Sequence, residues 1–253
     1  MEFINITKDN IKTEHICCAI GNDIANKKRS ETKKQFLIPL LEKGLVFRKL
    51  NERGKVFIEY MPAENSFKAV NADNYMLIHC LWVSGKFKGQ GYSKELMQYC
   101  IKDSQEKGKD GICVVTSGKK RPFLTDKSFY EKFNFKVCDT GKPFFELMYL
   151  PLKSDAEIPQ FTENAKEGKY ENSADFTLMY TDQCTFTGEY SAVMKDIIEK
   201  RNFSAEIIKL SSTDEAKALG GGFTTFGLYY KGNLITNELM TDKKLNTLID
   251  FLT

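Results

Sequence analysis

A near-continuous apolar run of nine residues, YMLIHCLWV, spans Tyr75–Val83. It is too short for a typical helix and predicts a central strand buried on both faces. Shorter runs around it predict further elements. FINIT (3–7) reads as a strand, and Asp9-Asn10 as the cap of a helix through HICCAI (15–20). Residues 21–34 are a polar stretch, followed by a helix over 35–42. Strands at 44–49 and 55–60 flank a turn at 51–54 and form a hairpin. Residues 93–107 place Leu96, Met97, Cys100 and Ile101 on one helical face. A buried strand at 111–116, a short helix at 126–133 and strands near 135–137 and 144–150 complete a mixed α/β sheet with helices on both sides.

The pattern changes after Leu152. Residues 153–174 are polar and poorly periodic, as in a linker, and all six prolines lie at or before Pro159. A second series follows: strand 176–181, helix 188–202, strand 205–210, helix 214–219, hairpin 224–236 and helix 242–252. The expectation is therefore a domain over 1–152, a linker over 153–174 and a βαβαββα domain over 175–253.

Composition, at 42% hydrophobic and 28% charged residues, is that of ordinary globular protein. No apolar run approaches the ~18 residues that cross a bilayer. The opening MEFINITKDN lacks the basic-then-apolar form of a secretory signal. The seven cysteines are odd in number and contain no CxxC pair, so the expectation is a cytoplasmic protein with reduced thiols. Residues 1–152 carry a net +8 and residues 153–253 a net −5. That basic excess is too dispersed for a nucleic-acid stripe, and opposite signs favour docking of the two halves. His15, Cys17 and Cys18 are too close along the chain for a finger-like site, so no metal is expected.

The chemistry-bearing stretch is CLWVSGKFKGQGYSKELM (80–97), an apolar strand, a glycine-bearing loop and an amphipathic helix. Glycines at a helix start let the backbone approach an anion, and the unpaired N–H groups of 88–93 together with the helix dipole favour phosphate oxygens. No GK[ST] follows, which excludes a Walker loop, and the two glycines do not make a dinucleotide fingerprint.

This stretch resembles the GNAT superfamily of N-acetyltransferases, whose signature loop (Q/R)xxGxG/A reads KFKGQG here, with Lys86 where Gln or Arg is usual. A second element, FYxxxGF, reads FYEKFNF (129–135), with Asn134 for Gly; Asn tolerates positive φ well. The resemblance covers roughly 1–150. The wording of the whole chain resembles a narrower bacterial group, GNAT proteins with a YoaP-like C-terminal domain. It implies acetyl-CoA as co-substrate, bound by main chain at Leu81, Trp82 and Val83 and by the loop Lys88, Gly89, Gln90, Gly91, Tyr92 and Ser93. Tyr130 stands where family members often protonate the leaving thiolate, and a backbone N–H near Val83 would hold the oxyanion.

A base must take a proton from the attacking ammonium. Glu59, His79 and Asp73 are the candidates, acting directly or through water. By regular alternation His79 shares a face with Val83. The plainer readings are a solvent-facing Glu59 and a core histidine with one hydrogen bond. Lys119-Lys120-Arg121 suits an anionic ligand, though a solvated loop explains it equally. The acceptor is an amine, small molecule or peptide, in a pocket shaped by 21–34 and 61–74. A homodimer fits as well, with no nucleic-acid or membrane partner.

In the second domain Cys184 precedes a helix, where the dipole favours a thiolate. The βαβαββα order resembles a thioredoxin-like fold, but Thr187 stands where a second cysteine would be and no cis-proline follows. Two further functions stay open: a non-catalytic CoA-binding or sensing module, and a monothiol redox protein centred on Cys184.

Overall fold

A computed structural model describes residues 2–16, 18–171 and 173–253. Two compact units emerge. The first comprises Met1–Ser66, Asn71–Asp139 and Glu146–Gln160; the second comprises Phe67–Val70, Thr140–Phe145 and Phe161–Thr253. The chain runs β1 (Phe3–Asn5), α1 (Ile24–Leu41), β2 (Val46–Leu50), β3 (Val56–Pro62), β4 (Val70–Asn71), β5 (Tyr75–Val83), α2 (Tyr92–Glu106), β6 (Gly111–Ser117), α3 (Lys127–Glu131), β7 (Lys136–Gly141) and β8 (Phe145–Pro151). Then come β9 (Gln160–Phe161) and α4 (Glu163–Glu167), so the stretch 153–174 carries regular structure of its own.

A seven-stranded sheet has the order β1-β2-β3-β5-β6-β8-β7. Its first four strands pair antiparallel, and β5 pairs parallel with β6. Alternation decides the faces. Val56, Ile58 and Tyr60 of β3 bury against Leu96, Met97 and Cys100 of α2. Phe57 and Glu59 point to the other face, where Phe57 stacks on Phe47 at 4.9 Å and Lys33 of α1 reaches Glu59. Helices therefore cover both sides, as expected.

Two expectations near the N-terminus fail for identifiable reasons. Among the described residues of 15–20 no helix forms. Asn10 does not cap forward; its side chain accepts from Thr7 N–H at 2.8 Å and donates to the Asn5 carbonyl at 3.0 Å, clamping the end of β1. Cys17 lies outside the described residues. The polar stretch 21–34 instead begins α1, whose N-cap Asp23 accepts from Asn26 N–H at 3.0 Å. The buried positions of α1 are Lys33, Leu37 and Leu40, spaced i, i+4 and i+7. A lysine at the first of them hides the apolar stripe from a hydropathy reading.

The second unit contains β10 (Phe176–Tyr180), α5 (Thr187–Lys200), β11 (Ala205–Lys209), α6 (Thr213–Leu219), β12 (Phe226–Tyr230), β13 (Asn233–Thr236) and α7 (Asp242–Leu252). The expected βαβαββα order holds. The strands lie in the order β11-β10-β12-β13, with β10 parallel to β11 and antiparallel to β12. Phe176, Leu178, Met194, Ile198, Leu245 and Ile249 form its core. Among the described residues no helix is long and apolar enough to cross a membrane.

Candidate active site

The central feature is where β5 and β6 part. Their parallel register ends at the pair Ile78↔Val114, yet β5 continues to Val83 and β6 to Ser117. On its other side β5 stays paired with β3 as far as Val56↔Val83. Over Leu81–Val83 one edge of β5 thus carries no ladder pair with β6. Ser84 N–H donates to the Lys55 carbonyl at 3.0 Å, toward β3. Main-chain groups alternate sides along a strand, so those of Leu81 and Val83 face the opened edge and those of Trp82 face β3. The Trp82 side chain is 45% exposed.

A bulge sits at the vertex of this opening. Glu59 pairs with Cys80 but Tyr60 pairs with Ile78, leaving His79 as the additional residue on β5. Side-chain phase therefore changes: Met76 and Ile78 before the bulge, and Leu81 and Val83 after it, all meet the α2 cluster. The expectation that His79 and Val83 share a face is thus corrected. His79 turns instead toward α1.

There it meets two other polar groups. His79 Nδ1 lies 3.1 Å from Glu59 Oε1, and Lys33 Nζ lies 2.7 Å from Glu59 Oε2. All three side chains are essentially sealed from solvent, so Glu59 does not face solvent. Burial alone would raise the Glu59 carboxyl, but the Lys33 ammonium and the His79 hydrogen bond outweigh it and hold the group at about 2. Breaking such a buried pair by removing one partner costs about 3–5 kcal/mol. Sequence reasoning missed Lys33. The available signal was a lysine in phase with Leu37 and Leu40, which requires a buried anion.

The sign of the Glu59 shift gives a stability prediction. With a folded pKa depressed below the ordinary 4.5, the contribution is complete above about pH 4.5 and is lost as pH falls toward about 2. The difference in urea midpoint between wild type and Glu59→Gln should shrink across that window. A constant difference would contradict the ion pair.

The loop after β5 has the backbone an anion cradle requires. Gly89 has φ +79° and Gly91 φ +84°, and a Cβ built at either would meet nothing within 4 Å. Gly91 caps α2 without a side-chain hydrogen bond, so the first N–H groups of a 15-residue helix receive no side-chain cap from it. Lys88, Gly89 and Gln90 are exposed. Gln90 Nε2 donates to the Lys86 carbonyl at 2.6 Å, inside the loop. Lys86 lies 3.6 Å from Glu52. Tyr92 is buried and meets Phe3 and Phe87 edge-on, so only its main chain is available to a ligand. Ser93 is half-buried.

Tyr130, on α3, packs against Phe129 and Phe135 in the same cluster as Leu81. Burial pushes its phenol well above the ordinary value, a rise only partly offset by a hydrogen bond with Thr125. The Thr125 hydroxyl in turn lies 3.4 Å from the Leu81 carbonyl. Thr125 thus stands between the phenol and the opened edge of β5. Asn134 takes φ +64° at the turn after α3, the conformation for which glycine is otherwise used.

In the second unit, Cys184 is half-buried between β10 and α5. Thr187 Oγ1 lies 2.8 Å from the Cys184 carbonyl and 2.7 Å from that of Thr181.

Comparison with known proteins matches both units. Residues 52–137 match the acetyltransferase (GNAT) domain family, and residues 205–246 match the YoaP-like family. The uncharacterized N-acetyltransferase YoaP of Bacillus subtilis (strain 168) is 39% identical over 252 residues, covering 100% of both chains. Solved structures are more distant. The PaiA N-acetyltransferase of Thermoplasma acidophilum in complex with coenzyme A is 16% identical, with a TM-score of 0.42 over 60% of this chain and 99% of that one. A GNAT family acetyltransferase of Brucella melitensis in complex with acetyl-CoA is 15% identical, with a TM-score of 0.39 over 62% and 91%. Full-length identity at this level, with a GNAT domain match over the central strands and the loop, decides the family: the chain belongs to the YoaP-like N-acetyltransferases of the GNAT superfamily.

Proposed function

We propose that the protein transfers the acetyl group of acetyl-CoA directly to an amine in a ternary complex. The observation that carries this reading is the parting of β5 from β6 immediately before a loop whose glycines open α2. A pantetheine arm carries amides, and the main-chain N–H and C=O groups of Leu81 and Val83 offer strand-like partners for them. The pyrophosphate fits the N–H groups of 88–93, with Lys88 adding charge. The Val83 N–H faces the same edge and suits the oxyanion that forms on the thioester carbonyl. Tyr130, kept neutral by burial, supplies a proton to the departing thiolate. Glu59 and His79 are the groups from which the base is drawn. The test is incubation with acetyl-CoA and a panel of small amines and peptides, scored by thiol release. Absence of amine-dependent release across the panel, in a protein that binds CoA, would favour a binding module instead.

We read the unit around 175–253 as a thioredoxin-like module without dithiol chemistry. Its βαβαββα order and the strand order β11-β10-β12-β13 support that reading, and Thr187 holds the position of a resolving thiol. Transfer straight from thioester to amine has no place for an enzyme thiol. Cys184→Ser is therefore expected to leave acetyl transfer unchanged. Abolished turnover in that variant would bring a thiol-based route to the front.

A further inference from the structure

The buried chain Lys33–Glu59–His79 places three ionisable side chains at the vertex of the opening, and its arrangement distinguishes their roles. Both Glu59 oxygens are engaged, Oε2 by Lys33 at 2.7 Å and Oε1 by His79 at 3.1 Å. A carboxylate so held is a poor proton acceptor. His79 differs. It is the bulged residue of β5 and the first past the last β5–β6 pair, and bulges commonly re-aim a side chain beside an active site. With its Nδ1–H given to Glu59, Nε2 carries the lone pair.

We propose that His79 accepts the proton of the attacking ammonium and that Lys33, acting through Glu59, is a positioning residue that sets the orientation and proton affinity of His79. The inference rests on the acetyl-transfer reading. The His79 ring is enclosed, so the proton passes through one water admitted with the acceptor. The ammonium gives a proton to that water, and the water gives one to Nε2. The freed amine lone pair forms the new C–N bond, the C–S bond breaks, the thiolate takes a proton from Tyr130, and the second proton of the nitrogen leaves through water to restore the Tyr130 phenol.

The charged neighbours of Glu59 are Lys33 from α1 and His79 from β5. On β2 the residue directly opposite Glu59 is Phe47; Lys49, next on that face, is paired with Glu14 at 2.9 Å. On β6 the titratable residue in phase is Cys113, opposite Leu77, and burial pushes its thiol well up, so it stays neutral. Within this trio, removing each charge has a definite sign. Lys33→Met leaves the Glu59 anion facing the imidazole alone, which favours the imidazolium. Glu59→Gln keeps an acceptor for Nδ1–H but leaves the Lys33 cation nearby, which disfavours it. A purely structural role has no reason to produce opposite shifts.

The chain has only two histidines, so their ring Cε1–H resonances can be titrated in the full-length protein, with a His79→Gln variant assigning the signal. Lys33→Met should raise the His79 midpoint and Glu59→Gln lower it, each by about one pH unit or more. The Lys33→Met/Glu59→Gln double variant should lie nearer wild type than either single. The rising limb of the pH–rate profile should move with the midpoint in each case. Should Lys33→Met fail to fold, the downward shift in the isosteric Glu59→Gln decides alone. Shifts in the same direction, no shift, or a moved midpoint with an unmoved rate limb would overturn the proposal. Wild-type protein that acetylates no amine at any pH would instead overturn the transfer reading, while the resonance titration still reports on the coupling.

Discussion

Calorimetry on a Gly91→Asp variant is expected to show coenzyme A binding weakened by about a hundredfold or more in a protein that remains folded. A carboxylate placed beside phosphate oxygens at about 4 Å costs on the order of 4 kcal/mol at an effective dielectric of about 20, and about 1.4 kcal/mol is a factor of ten. The fold has reason to survive. A Cβ at this position meets nothing within 4 Å, and Asp is among the residues that tolerate φ +84°. The new carboxylate would also cap the first N–H groups of α2, which favours the helix. Gly91→Asn is the control, because it adds a side chain of the same shape and similar tolerance of positive φ without charge and should weaken binding far less. Unchanged affinity in a folded Gly91→Asp protein would remove the loop from the cofactor site.

Tyr130→Phe should lower turnover by about 10²–10⁴-fold, the usual contribution of general acid catalysis, while acetyl-CoA binding is spared. The substitution deletes one hydroxyl and keeps the ring, so the contacts with Phe129 and Phe135 persist. What disappears is the hydroxyl proposed as the proton donor, beside Thr125. A donor is required only after the C–S bond begins to break, so the loss belongs in kcat rather than in affinity. Wild-type turnover on an accepted amine would make Tyr130 a packing residue alone.

Where apolar periodicity was strong, the sequence was enough. Tyr75–Val83 emerges with its expected ends, and α2 buries Leu96, Met97 and Cys100 as their spacing requires. The βαβαββα order of the second unit was equally plain, because most of its elements are bounded by Gly, Asn or Ser. The failures occurred where a polar residue occupies a core position. Lys33 breaks the stripe of α1, and the partner that makes its burial tolerable, Glu59, lies on a different strand. Pairing across elements has no period and leaves no mark in a one-dimensional pattern. The cap expected at Asn10 failed in a related way, since an asparagine side chain can serve the backbone on either side of it. For the site, loop chemistry was legible because glycine at positive φ has a local cause. The bulge at His79 was not, because nothing in YMLIHCLWV marks where the inner phase slips.

That slip makes the tolerance of β5 to changes in length uneven. Ahead of it, Met76 and Ile78 enter the core; behind it, Leu81 and Val83 do. The two halves of the strand obey opposite parities, and His79 is the spacer that reconciles them. Removing one residue between Ile78 and Leu81 would restore uniform parity to the strand with Leu81 and Val83 still on the α2 face. A residue gained or lost between Ser84 and Lys88 leaves strand parity untouched as well, because no partner strand counts along there. The segment that looks most uniform in composition thus carries one residue more than its alternation needs.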